Sequence, residues 1–155
     1  MSAKLMRATG LLWCSTIAVL LAGGEMRAQA ADSKLQVFLL WGTDDSKPPE
    51  GKHYKAVEED VLQKLKDLPL KWTHWFEVNQ VGFTVLQGAT KEVPISEKCR
   101  IRVKRLGHSE MELTLIGKGK EVVKRRQALP RGEMLVLGGN APNSTAWLVV
   151  LKRLE

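Results

Sequence analysis

From residue 70 onward the chain keeps returning to one pattern, a short run rich in alternating or β-branched apolar residues closed by a glycine-bearing turn. Gly82, Gly88, Gly107, Gly117, Gly119, Gly132, Gly138 and Gly139 supply the breaks. The runs between them predict strands over 71–78, 83–86, 98–105, 109–116, 121–127, 133–137 and 145–151. Each is too short for a helix, and side chains that alternate from one face to the other need a sheet with an inside and an outside. An earlier apolar run, Leu35 to Trp41, ends at Gly42 and reads as one more buried strand. Residues 43–51 are dense in Asp, Ser, Pro and Gly and read as a loop.

The one helical pattern covers about 53–68. Tyr54, Val57, Val61, Leu65 and Leu68 recur at spacings of three and four, and Leu62 widens the stripe. Glu58, Glu59 and Asp60 come early and Lys64 and Lys66 late, the order that the helix dipole favours, and Pro69 ends it. The expectation is an α+β fold. It is a predominantly antiparallel β-sheet, as a sandwich or partly open barrel, with one amphipathic helix near the N-terminus of the mature chain. With no internal repeat or linker, residues 31–155 read as a single globular domain.

The mature chain is what cleavage of residues 1–30 would leave, a segment that resembles bacterial Sec export signals. Lys4 and Arg7 precede an apolar stretch, and Ala28-Gln29-Ala30 offers the small-x-small pattern of a cleavage site. The stretch is interrupted by Thr9, Ser15 and Thr16 and falls short of the roughly 20 apolar residues of a bilayer span, so no permanent transmembrane anchor is expected. Trp13 stands before Cys14 where a lipoprotein signal carries a small residue, which argues against lipidation. Cleavage would leave Cys99 as the single cysteine, without a partner for an internal disulfide. A disulfide-free exported domain fits a bacterial envelope, with a periplasmic or extracellular location.

The net charge of +7 turns attention to cations. In 98–120, the clearest hairpin, Cys99, Ile101 and Val103 alternate with Lys98, Arg100, Arg102 and Lys104. A three-residue loop at 106–108 would set Val103 opposite Met111, Ile101 opposite Leu113, Arg102 opposite Glu112 and Lys104 opposite Glu110. Opposite charges facing each other across a sheet contribute roughly 0.2–1 kcal/mol a pair. The cations left over are Lys98, Arg100, Lys118, Lys120, Lys124, Arg125 and Arg126, which would form one positive surface if their strands were neighbours. No aromatic residue interleaves with them and no recognition motif accompanies them, so nucleic acid is not the expected partner. An anionic envelope component or another envelope protein is.

Aromatic residues concentrate at 72–76. On a strand, Trp72, His74, Phe76 and Val78 would share one face and receive the helix, while Trp75 would stand on the other beside Thr73, Glu77 and Asn79. Trp75 then covers a sheet edge or loop, anchors an interface, or stacks on a planar ligand. His74 reads as a hydrogen-bonded core residue. The connection 138–144 is rich in Gly and Asn, and Asn140 and Asn143 make it a second candidate contact site. The flanking runs, apolar almost throughout, are expected mid-sheet.

Catalytic and metal constellations do not assemble in the sequence. Cys99 and His108 lie nine positions apart along one strand, on the order of 30 Å at about 3.3 Å per residue. His53, His74 and His108 share no metal-ligand spacing, Asp44-Asp45 lacks the alternation of a calcium loop, and Gly117 and Gly119 precede no helix. No cofactor or metal is expected. These observations predict an exported, non-enzymatic binding domain of a bacterial envelope assembly, with contacts at Trp75, Lys98, Arg100, Lys124, Arg125, Arg126, Asn140 and Asn143. The alternative is an enzyme acting on an envelope polymer through a site assembled only in the fold, with Asp44, Asp45, the helix carboxylates and His53 as candidates.

Overall fold

A computed structural model describes residues 32–141 and 144–155. The export signal expected at 1–30, with Cys14, lies outside the described residues, as does Asn143. The fold is mostly antiparallel β-sheet, arranged in two sheets with one short helix. Its elements are β1 (Ser33–Thr43), β2 (Lys55–Ala56), α1 (Glu59–Lys66), β3 (His74–Val85), β4 (Thr90–Pro94), β5 (Cys99–Arg105), β6 (Glu110–Gly117), β7 (Lys120–Ala128), β8 (Met134–Asn140) and β9 (Ala146–Arg153). The first sheet runs β2-β3-β1-β9-β8 and the second β4-β5-β6-β7.

The first sheet is covered on both faces, which explains the unbroken apolar runs of β1, β8 and β9. Leu35, Val37, Leu39, Leu137, Val149 and Leu151 point toward the second sheet and share a core with Val93, Ile101, Val103, Met111, Leu113 and Leu115. Phe38, Leu40, Leu148 and Val150 point the other way and pack on Val57, Val61 and Leu65. Eight residues of helix would not persist alone. Burying Val61 and Leu65 stabilises the packed state by about 1.5–3 kcal/mol each.

The helix is half as long as its periodicity predicts. Lys55 and Ala56 pair with Glu77 and Phe76 of β3, which draws the segment ahead of Glu58 into extended structure. No side chain caps Glu58, but Asp60 accepts a hydrogen bond from the Val61 amide at 2.8 Å. The helix start is instead held from β9. Lys152 reaches Glu58 at 3.4 Å and forms a closer ion pair with Asp60. Burial works against the Lys152 charge, yet the two carboxylates outweigh it and hold its pKa above the ordinary lysine value.

Two other features differ from expectation. The predicted strands 71–78 and 83–86 are one strand, because Gly82 is no turn and pairs with Gln36 mid-strand. Strand β4 has no clear signature, being an edge strand with one buried apolar side chain, Val93, and a proline at its end.

At one end the sheets are joined by arginine. Arg153 is 1% exposed and donates to the carbonyls of His108 and Leu129, both at 3.0 Å, and of Glu155 at 3.1 Å. Burial, and then the charges of Arg105 and Arg131, press its pKa below the usual arginine value.

The fold requires one close approach. A Cβ on Gly42 would lie inside the ring of Trp75, whereas one on Gly82 meets nothing within 4 Å. Gly42→Ala is therefore expected to cost about 1–3 kcal/mol, the range for overpacking, read as a lower urea midpoint at unchanged slope. Gly82→Ala should change the midpoint little, by about 0.5 kcal/mol at most. Equal losses at both positions would show that the Trp75 contact is not the cause.

Candidate functional site

Strand β3 does not present the faces its sequence predicts. Val78 is the extra residue where the β1–β3 register shifts, since Leu39 pairs with Asn79 and Leu40 with Glu77. Trp75 and Glu77, opposite Gly42 and Leu40, share the helix side, and Val78 joins the inter-sheet core. Trp75 is half-buried over Gly42 and edge-on to Trp72, with ring centroids 6.0 Å apart. Trp72 lies ahead of β3, buried, and its Nε1 donates to the Ser144 carbonyl at 2.7 Å. The expected face assignment is thus reversed, because a sheet covered on both sides has no polar face on which a lone tryptophan could stand out. The tryptophan that does stand out is Trp147, 41% exposed, opposite Gly139 at the end of β8. Its place inside an apolar run concealed it.

The basic hairpin keeps its faces but not its register. Val103 pairs with Leu113, Ile101 with Leu115 and Arg105 with Met111, a slip of two residues from the expected pairing. A two-residue slip leaves every side chain on the same face, so alternation cannot detect it. The turn is longer than three residues, closed by the amides of Leu106 and Gly107 on the Glu110 carbonyl. The expected pairs Arg102–Glu112 and Lys104–Glu110 do not form. Arg102 binds Glu92 at 3.0 Å and Glu121 at 2.9 Å, and Glu92 also receives Arg100 at 3.3 Å. The Arg102 and Arg100 guanidiniums hold the Glu92 carboxyl below the ordinary carboxylate range.

Apart from Lys120, the exposed first residue of β7, the cations expected to be left over therefore separate into three groups. Lys124 pairs with Glu112 at 3.2 Å and Arg126 with Glu110 at 2.8 Å, so both are answered on the outer face of the second sheet. Lys98 and Arg100 sit with Lys118, Arg102, Glu92 and Glu97 around an open concavity of about 580 Å³. Neither Lys98 nor Lys118 has a carboxylate within 4.0 Å among the described residues. Arg125 points to the opposite face from Lys124 and Arg126, on the inward row of β7 opposite Leu113. There it lines a second cleft, of about 320 Å³, with Val123, Gln127, Leu135, Leu137 and Gly138. A single positive surface does not form, because alternation along β7 separates Arg125 from its neighbours.

The second cleft lies between the edges of the two sheets. Strand β9 is mid-sheet as expected, but β8 is not; it pairs with β9 on one side and is the last strand of its sheet. The expected loop 138–144 is also shorter, since Gly138, Gly139 and Asn140 belong to β8 and pair with Leu148, Trp147 and Ala146. A Cβ at Gly138 would collide with Leu148 and the Trp147 carbonyl, which accounts for glycine there. The turn beyond is fastened by the Ala141 amide on the Thr145 carbonyl.

Groups suited to catalysis stay apart or occupied. Cys99 is half-buried, and burial pushes its thiol pKa up, away from the reactive thiolate. Of the helix carboxylates, Glu58 accepts Gln80 and Lys152, and Asp60 holds Lys152 and the Val61 amide. Asp44, Asp45 and His53 are all exposed, and His74 bonds to its neighbour Thr73 at 2.9 Å. Among the described residues no three His, Cys, Asp or Glu side chains cluster to hold a metal, and no helix is long and apolar enough to cross a membrane.

Glu77 is the unusual carboxyl, 6% exposed on the helix side of β3. Burial raises its pKa, Lys55 opposes the shift and Glu58 adds to it. The native state thus holds this proton to a higher pH than the unfolded chain, whose glutamate titrates near about 4.3. The favourable contribution is present below that pH and is lost as pH rises through the native pKa. Glu77→Gln should raise Tm at pH 7 and leave it unchanged near pH 3, checked by thermal melts at both; a lower Tm at pH 7 would mean that the ionised carboxylate is stabilising. No family model matches this chain, and no curated protein or solved structure matches it either.

Proposed function

We propose that this chain is a non-enzymatic binding domain, exported and working in a bacterial envelope assembly, whose partner is an acidic protein held on the β7–β8 side. The observation that carries this reading is β8. A strand at the edge of a sheet offers unpaired backbone groups, and edges are ordinarily blunted by charge, proline or a bulge. From Met134 to Asn140 there is no charged residue and no proline, and the β8–β9 register runs without a shift. The other edge bordering the cleft, β7, turns Arg125 into it. An apolar edge beside an arginine that has no carboxylate within 4.0 Å among the described residues fits a partner that brings both backbone and negative charge.

A second surface, the concavity of Lys98, Arg100 and Lys118, suits an anionic polymer or headgroup in place of a protein. Site-directed photo-crosslinking in the producing cell separates the two. A photoreactive residue at Gln127 or Gly139 should give adducts of one discrete mass with an envelope protein, and one at Asp45 should give none. Protein adducts from Lys118 alone would move the interface to the concavity. Absence of adducts from all positions would end the protein-binding reading.

A further inference from the structure

The cleft between β7 and β8 has the form of a place left for one more strand. Resting on the binding reading above, we infer that the partner contributes an extended segment that pairs with the free edge of β8 and places an Asp or Glu side chain against Arg125.

The backbone supplies the first part of the argument. On its open side β8 pairs with no strand among the described residues. An added strand would continue the first sheet, and its alternate side chains would point, like Leu135 and Leu137, toward the second sheet. That row enters the cleft, whose far wall is Val123, Arg125 and Gln127.

The side chains supply the second part. Two apolar walls, Val123 on one side and Leu135 with Leu137 on the other, meet apolar residues of the incoming row. Arg125 lies on that inward row without a carboxylate within 4.0 Å among the described residues, whereas Lys124 and Arg126 on either side of it each have one. An inward-facing charge on an edge strand also discourages self-pairing of β7, and of the two edges bordering the cleft that leaves β8 open to a partner.

Charge also separates this occupant from a second copy of the chain. Two copies joined through β8 about a two-fold axis would bring both β7 strands to the same side of the continuous sheet, with their Arg125 side chains meeting across the junction. Like charges so placed oppose association, and a strand carrying a carboxylate is favoured.

The test uses the full chain as bait for a displayed library of random peptides of about nine residues, somewhat longer than an ordinary strand. Selected peptides should alternate apolar residues with others and carry an Asp or Glu in the apolar row. Binding of a selected peptide should slow hydrogen exchange at those alternate amides of Leu135–Gly139 that do not already bond to β9. Arg125→Glu should weaken it roughly tenfold or more, the scale of one charge-assisted hydrogen bond, and should select peptides with Lys or Arg in the acidic position. Lys120→Glu, an equal charge change elsewhere on β7, should leave affinity within about twofold, as expected for a screened rim charge. Selected peptides without an acidic position, unchanged exchange at β8, or no enrichment would overturn the inference. Exchange at β8 that slows with protein concentration alone, without peptide, would assign the edge to a second copy. Crosslinking from Gln127 to a protein partner, combined with unprotected β8 amides, would leave the binding reading standing and remove strand pairing alone.

Discussion

The structure depends on a sheet with no dry face to spare. Strands β1 and β9 lie at its centre and send apolar side chains both ways, so each face needs a cover before any backbone pairing can be held out of water. The second sheet covers one face, and α1 with Val57 covers the other. The remaining features follow from that demand. Lys152 projects from the centre of the sheet to fix the start of a helix too short to fix itself. Arg153, one residue further along the same strand, points the opposite way and gathers carbonyls from two loops and the chain end. Neighbouring positions of one strand thus fasten both covers.

The same geometry decides where charge can matter. The outer face of the second sheet is a lattice of answered ions, in which Glu92 and Glu121 take Arg102 while Glu110 and Glu112 take Arg126 and Lys124. Exposed pairs of this kind contribute little stability each, about 0–1 kcal/mol, but they cancel a field that would otherwise attract anions over a broad area. Of the candidate cations that remain, Lys98 and Lys118 line the concavity and Arg125 lines the cleft between β7 and β8, so they do not merge into one basic face.

Much of this architecture is legible in the sequence. The strands of the second half, the hairpin faces and the helix stripe follow from periodicity, because burial of one side imposes it. What is not legible depends on relations between elements. The helix start is not legible because Lys55 and Ala56 pair with a strand that the local pattern cannot see. The hairpin register was lost because a slip of two preserves every face. The face of Trp75 is not legible because its sheet is covered on both sides, so alternation along β3 does not tell which row receives the helix. Of the candidate contacts, Arg100, Lys124 and Arg126 each have a carboxylate at hand that the sequence does not reveal, whereas Lys98 and Arg125 have none within 4.0 Å among the described residues, Arg125 for a reason of parity along β7. Trp147 and the β8 edge were missed since an apolar run reads the same at the centre of a sheet and at its rim.

The pairing of β1 with β9 has a bearing on the order of events in folding. Leu35 stands opposite Arg153, so the first strand of the described chain waits for the last before the central pair of its sheet exists. Contacts between residues so distant in sequence slow the search for the native state, and a ribosome delivers β9 only after every other element. The second sheet, built wholly of sequential hairpins from β4 to β7, can pair early, although its apolar face is covered only by the first sheet. Until β9 arrives, β1 keeps its two apolar faces and both edges open except where β3 protects one of them. The interval between synthesis of β1 and closure by β9 is therefore when this chain is most exposed to aggregation, and when a holding chaperone would have most to protect.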